Sequence, residues 1–281
     1  MSKAPAKFVS TEASCELPRV SIGVPVFNSE LTIRQTISAL INQSYENFEI
    51  LISDNASTDA TGEICRAFAS GDPRIRYIRQ PNNIGSMANF RFLLNAAESK
   101  YFMFAAADDN WSPLFLEKLL TVMLHDEGCV LAFCDFVIRF RETGREVKIP
   151  VSSSCSNSSL VRYLSRIIDM QPHLIYGLFR RDYFKPSDLV GFDFSDCHVS
   201  LIMALRGRIR IVNEALYAWE ISHKRTSYPL TNQRINYSSF FAAQLRLMIK
   251  NFSLVKLLIP TILLAYYIAT KVYEHYKPQT R

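Results

Sequence analysis

Glycine is scarce in this chain, nine residues in 281, and Gly23 stands alone in the early part of the sequence. A basic, glycine-rich loop that would cradle a nucleoside triphosphate is therefore missing, which counts against a nucleotidyltransferase. The six cysteines, at 15, 65, 129, 134, 155 and 197, form no Cys-x-x-Cys pair and no cluster with metal-ligand spacing. They read as reduced packing residues of a cytoplasmic protein, with Cys65 and Cys129 in apolar surroundings. Met1 to Glu16 lacks the apolar core of a secretory signal, and residues 1–17 are expected to be a flexible terminus. No internal repeat is present. The formal charge of +6 permits an acidic partner, but no basic stripe with interleaved aromatics accompanies it, so nucleic acid is not expected. What remains is a chain that is 48% hydrophobic, enough for one large core or one core with a helical appendage.

The most informative stretch runs from Tyr101 to Pro113, where seven apolar residues end abruptly in Asp108-Asp109. An unpaired buried carboxylate costs several kcal/mol or takes up a proton, so adjacent acids at the end of a core strand point to a hard cation such as Mg²⁺ or Mn²⁺. Two acids in a solvated turn are the plain alternative. Ser112-Pro113 reads as N-cap and first-turn proline of a helix over Leu114, Phe115, Leu119 and Leu120.

The N-terminal half gives this strand its company. Val20 to Asn28 is an apolar strand closed by turn residues, and Leu31 to Ile41 has helical spacing at Ile33, Ile37, Leu40 and Ile41. Phe48 to Ser53 is a second strand that runs into the polar loop Asp54-Asn55-Ala56-Ser57-Thr58-Asp59, followed by a helix over Ala60 to Ala69. A third strand spans Ile75 to Arg79, and a helix bearing Met87, Phe90, Leu94 and Ala97 leads back to the acidic strand. This alternation predicts βαβ units and a parallel sheet through about residue 125, with ligands at the carboxyl ends of its strands.

Taken together these pieces resemble the inverting, family-two glycosyltransferases with the GT-A fold. The resemblance rests on the VPVFN strand end, Gln43-Ser44-Tyr45, the DNASTD loop, Asn83-Ile84-Gly85, the ADDNW carboxylates and Gly177-Leu178-Phe179-Arg180-Arg181, in that order over residues 18 to 227. It implies an α/β protein with a mostly parallel central sheet flanked by helices and a C-terminal helical extension. The expected division is a donor-binding half at 18–125, an acceptor-binding and catalytic half at 126–235, and C-terminal helices at 236–281. A nucleotide-diphospho-sugar donor, a divalent Mg²⁺ or Mn²⁺ and a sugar acceptor follow from the same resemblance.

Site residues carry over one at a time. Pro25 and Phe27 at the first strand end, with Asp54 and Asn55, are implied as nucleotide contacts. Relatives usually have a second acid at the place of Asn55, where it takes the base N3-H; the Asn oxygen can accept the same bond, so a pyrimidine is expected, uracil or thymine. Asn89 matches a donor-facing helix position, with a helix-surface residue as the alternative. Ala106 stands where the metal motif often has its first acid. The two later acids then imply Asp108 facing ribose and metal-bound water and Asp109 on the metal, with His223 as a third metal contact or diphosphate donor and a solvated or core histidine as its alternative. Asp196 is implied as the catalytic base, eight residues ahead of Ala204-Leu205-Arg206-Gly207, with helix capping as its alternative and Asp193 as the fallback base.

Other residues read less specifically. His173 can line the acceptor cleft or be a loop histidine, and Trp111 and Trp219 can stack on sugars or pack the core. Arg180-Arg181 and Lys224-Arg225 can neutralise diphosphate or lie in solvent. Ser152 to Ser159 reads as a flexible loop between the halves. Leu254 to Thr270 is apolar apart from Lys256 and Pro260, and basic residues flank it. Spanning a membrane takes about 20 apolar residues. Interfacial helices on the inner face of the cell membrane, core or homodimer packing, and a true span are the three readings of that stretch. An interfacial helix would suit a lipid-linked glycan acceptor. The rival to an enzyme of this kind is a catalytically silent module that binds sugar nucleotide or glycan.

Overall fold

The computed structural model describes residues 18–191, 194–221 and 237–252. The expected flexible terminus, Asp193, His223, Lys224-Arg225 and the apolar stretch 254–270 lie outside the described residues. The first half alternates as the periodicity requires: β1 Val20–Val26, α1 Ile33–Ile41, β2 Phe48–Asp54, α2 Thr61–Gly71, β3 Ile75–Arg79, α3 Ser86–Ala96 and β4 Tyr101–Phe104. These strands are continuous apolar runs because helices cover the sheet and leave almost every residue of β1, β2 and β4 buried. α1 turns Ile33, Thr36, Ile37 and Leu40 inward, one stripe at helical spacing.

The second half is more mixed. It holds β5 Asn110–Trp111, α4 Phe115–His125, β6 Cys129–Phe140, β7 Glu146–Ile149, α5 Ser159–Ile168, β8 Leu178–Arg180, α6 Ser195–Arg206, β9 Arg208–Ile221 and α7 Tyr237–Asn251. One sheet unites both halves in the order β3-β2-β1-β4-β8-β6-β9-β5, with β7 beside β6. β1, β2, β3 and β4 pair in parallel, β8 is antiparallel to both β4 and β6, and β9 returns parallel to β6. The chain leaves β1 outward through β2 and β3 and comes back on its other side as β4, so the topological switch lies between β1 and β4.

A single apolar core runs from Val20 to Tyr217, with Phe102, Phe104, Phe115, Phe133 and Phe179 wholly enclosed. Truncating any of these rings to alanine costs about 3 to 5 kcal/mol. A smaller cluster of Tyr163, Ile167, Cys197, Leu201, Phe240 and Met248 fastens α7 to α5 and α6, which is the helical appendage. The buried cysteines are unpaired, and burial pushes the Cys65 thiol up to about 12 and that of Cys129 to about 11.

Three local expectations are corrected. α4 begins at Phe115 rather than directly after Ser112, because Asn110–Trp111 pairs with β9 and Ser112 N donates to Leu216 O at 2.8 Å, which ties the chain to the sheet through Ser112. The serine segment expected to be flexible is pinned. Arg166, fully buried, donates to Ser152 O at 2.5 Å and to Ser154 Oγ at 2.8 Å, and Ser154 bridges to Ile209. β9 starts at Arg208, well before Ala215, because Arg208 and Arg210 both pair with Asp126 and hide a strand under a charged pattern.

Candidate functional site

The ends of β1, β2 and β4 converge at the switch point, and polar side chains lace the loops there. Asn28 Oδ1 accepts from Thr58 N at 2.8 Å, Asn28 N donates to Ser57 Oγ at 3.0 Å, and Ser29 N donates to Thr61 Oγ1 at 2.7 Å. Pro25 is partly exposed and Phe27 is 45% exposed beside them. Asn28, Ala56 and Phe194 are the described non-glycine residues with positive φ, at 48°, 61° and 63°. All three sit in the loops where the expected site residues gather, and such conformations cost energy that the surrounding structure must sustain.

Asp54 is enclosed. Its Oδ1 accepts from Ser57 N at 2.8 Å, and its Oδ2 takes the Tyr77 hydroxyl at 2.6 Å and Arg79 Nη1 at 2.7 Å. Burial alone would raise its pKa, but these hydrogen bonds and the Arg79 charge together hold it below the ordinary carboxylate value. Gly62 permits the arrangement, since a Cβ there would stand 2.9 Å from Tyr77 Oη. Asn55 reaches the other way: its Oδ1 accepts from Ile84 N at 2.8 Å and its Nδ2 donates to Asn83 Oδ1 at 2.9 Å. One lone pair and one N–H remain on that amide. Gly85, at φ 83°, lets the same turn swing into α3. Asn89 is neither on the helix surface nor unengaged; it is 2% exposed, donates to Ser53 O at 2.9 Å and accepts from Ser53 Oγ at 2.5 Å.

The acidic pair separates into two environments. Asp108 is partly exposed, whereas Asp109 is 3% exposed with Oδ2 accepting from the Tyr217 hydroxyl and Oδ1 from Glu220 N at 3.3 Å. Burial pushes the Asp109 carboxyl up to about 6 against the lowering effect of those bonds. The carboxylate expected on the metal is thus turned toward β9, and Asp108 is the acid with solvent contact. Among the described residues no three His, Cys, Asp or Glu side chains form a metal cluster.

Asp196 lies in the first turn of α6, after the left-handed Phe194 that stands at the N-cap. The N-cap position is taken by Phe194 and not by Asp196, and among the described residues Asp196 receives only a long contact from Ser195 Oγ at 3.5 Å. Burial pushes its carboxyl up to about 6. The loop before α6 is fastened to α3, since Arg91 donates to Leu189 O at 2.8 and 2.5 Å and Gly191 lies against Met87. His173 is 9% exposed and set between Phe136 and Trp219, with ring centroids 4.5 and 4.6 Å away, and burial lowers it to about 4. Trp111 packs against Tyr217, and Arg180 donates to Cys129 O and Met123 O, so both serve the core.

Residues 21–185 match the family model described as Glycosyl transferase family 2. The chain belongs to glycosyl transferase family 2. Its fold is GT-A: the S. aureus TarS 1–349 structure superposes with a TM-score of 0.69 over 94% of this chain and 75% of that one, at 15% identity. The Pyrobaculum calidifontis mannosyltransferase PcManGT, solved with GDP-Man and Mn²⁺, gives 0.55 over 94% and 89%. Among curated relatives, the B. subtilis putative glycosyltransferase EpsH is 25% identical over 80% of this chain, and an uncharacterized H. influenzae glycosyltransferase is 30% identical over 60%. The chain spans 63% and 65% of the length of those two proteins.

In this family 2 chain, the motif order located the three strand ends, but the contacts that close the site came from elsewhere. Tyr217, Glu220 and Arg141 were not singled out in the sequence. The available signal was faint: Tyr217 and Trp219 alternate along a strand-like segment and so share one sheet face.

Proposed function

We propose that this protein is an inverting glycosyltransferase that moves a sugar from a nucleotide-diphosphate donor to a hydroxyl of a glycan or lipid-linked glycan. The observation that carries the reading is Asp196. It is a carboxylate without a strong partner, pushed up to about 6 by burial, at the start of a helix tied to the donor half. Inversion needs such a group, since a base must take the acceptor hydroxyl proton while the nucleoside diphosphate departs from the opposite face. Above about pH 6 Asp196 is ionised and able to accept that proton.

The donor occupies the β1–β4 crevice in this proposal, with Pro25 and Phe27 beside the nucleotide and Asp54 bracing the loop. Asn55 keeps an acceptor and a donor for a base edge, which suits the N3-H and a carbonyl of uracil or thymine. The TarS 1–349 structure solved with UDP-GlcNAc shares the fold and is consistent with a donor of that class. A divalent ion fits a donor set with one solvent-contacting carboxylate, Asp108, because Mg²⁺ and Mn²⁺ keep waters and take phosphate oxygens. Such an ion supplies charge neutralisation for the leaving diphosphate. Cytoplasmic placement, with peripheral attachment through residues 254–270, belongs to the same proposal; among the described residues no helix is long and apolar enough to cross a membrane.

Thermal-shift screening against UDP, dTDP, GDP and ADP, with and without Mn²⁺, tests the donor reading. A pyrimidine diphosphate should stabilise the protein most, and only with the metal. A purine preference removes Asn55 from its role. Nucleotide binding without any donor hydrolysis or transfer would instead establish the silent binding module.

A further inference from the structure

The turn that carries Asp108 and Asp109 has little local structure to define it, since residues 105–109 lie outside helix and strand. Its shape is set by residues distant in the sequence on both sides. Thr36 Oγ1 donates to the Asp109 carbonyl at 3.1 Å, the Tyr217 hydroxyl to Asp109 Oδ2, and the backbone N–H of Glu220 to Asp109 Oδ1. The side chain of the same Glu220, buried on β9, accepts from Arg141 Nε at 3.0 Å and Arg139 Nη1 at 2.9 Å. Arg141 then completes a ring by donating Nη2 to the Asp108 carbonyl at 2.7 Å. Arg139 and Glu220 are register partners where β6 and β9 run parallel, and Arg141 N donates to Ile221 O at 2.9 Å, so the clamp is built on paired strands.

We propose that Tyr217 and Glu220 of β9, acting with Arg141, are positioning residues that set the acidic turn for the donor diphosphate and its cation. A buried carboxylate such as Glu220 with its ion pairs is not needed for stability, because apolar residues of similar volume serve a core as well or better. What this network does that apolar packing cannot is hold two consecutive residues of one turn by directional bonds. It grips Asp108 by its main-chain carbonyl and Asp109 by its carboxylate. The inference rests on the functional reading above, in which Asp108 meets the metal and diphosphate.

The test is calorimetric titration of the full chain with UDP, with and without Mn²⁺, for the wild type, Tyr217→Phe, Glu220→Gln, Arg141→Lys and Asp108→Ala. Tyr217→Phe removes one hydroxyl and Glu220→Gln keeps the shape of the side chain; Arg141→Lys, at a partly exposed position, is the variant least able to harm folding. Each clamp variant should weaken Mn²⁺-dependent UDP binding by about tenfold, the lower end of the loss when a partner that orients a ligand is removed, and leave uridine binding unchanged. Glu220→Gln combined with Arg141→Lys should lose less than the sum of the two, as expected of residues in one network. Wild-type affinity in all three clamp variants, with Asp108→Ala still impaired, overturns the inference and leaves the functional reading standing. A wild type whose UDP affinity is indifferent to Mn²⁺ removes the functional reading, and the inference with it.

Discussion

Acids in two regions of the molecule, the β2 loop and the α6 and β9 side, are treated in opposite ways. Asp54 is gripped by partners close along the chain or on the next strand, Ser57, Tyr77 and Arg79, and its pKa is held below the ordinary value. Asp109 and Asp196 sit on the α6 and β9 side with no directly bonded cation among the described residues, and burial pushes both up to about 6. The β2 loop therefore ties its carboxylate to a cation and two further donors, while on the opposite wall Asp109 is held by a hydroxyl and an N–H and Asp196 by one long contact. A fully compensated carboxylate organises backbone; an uncompensated one is available to take a proton.

The largest effect that would break this contrast is on turnover. Asp196→Asn preserves size and removes the base, so transfer should fall by about two to four orders of magnitude with donor affinity little changed. In the wild type, kcat should decline as pH drops through about 6, where the base protonates; the Asn variant should lack that limb. Near-normal turnover in Asp196→Asn would place the base elsewhere and erase the distinction between the two walls.

Next is the stability of the β2 loop. Asp54→Ala leaves three donors without their acceptor and should cost on the order of 2 to 3 kcal/mol in urea unfolding at neutral pH. Because the folded-state pKa is depressed, the stabilisation is present above the ordinary carboxylate value and is lost as pH falls through the lower one. A neutral outcome would show that the network is not structural.

Asp196 has the opposite sign. Its folded-state pKa is raised, so stability is highest with the proton bound and is lost as pH rises from about 4 to about 6. Asp196→Asn should then be more stable than the wild type at pH 7, by on the order of 1 kcal/mol after allowance for solvent contact, and the gap in Tm should close near pH 4. A variant less stable at neutral pH would mean that the carboxylate is compensated after all.

The smallest effect separates the two strained loops. Ala56→Gly relieves a left-handed alanine in the β2 loop and should stabilise by about 0.5 kcal/mol, net of the added freedom of the unfolded chain. Phe194→Gly should destabilise despite its similar φ, because the Phe194 ring packs 5.8 Å from that of Phe240 on α7. Equal responses at both positions would leave the strain as the only common cause.

Much of the first half was legible because its determinants are local. β3 was read with its observed bounds and α1 and α2 within two residues, and α3 was placed by its apolar face, since each of these helices turns one apolar stripe to the sheet. The start of α4 and the length of β9 were not legible. Both depend on a pairing between segments about a hundred residues apart, Asn110–Trp111 with Tyr217–Ala218, and β9 also hides behind two arginines whose partner is Asp126. His173 could be named as a cleft or loop histidine, but not as a neutral ring between Phe136 and Trp219.

The order of apolar runs and polar loops by itself determined the parallel first half and the placing of Pro25, Asp54 and Asp108 at strand ends, and the motifs at those ends carried the resemblance to the family. Periodicity and turn chemistry act over a few residues and can be read from one chain. Which of two adjacent carboxylates keeps solvent contact was decided only by tertiary structure. Asp108 and Asp109 are identical in type and neighbours in sequence, and only the hydroxyl of Tyr217 and the N–H of Glu220, supplied by a strand 108 and 111 residues away, turn one of them inward. A hydrogen bond depends on distance and direction in space, and no local pattern encodes a donor that arrives from so far along the chain.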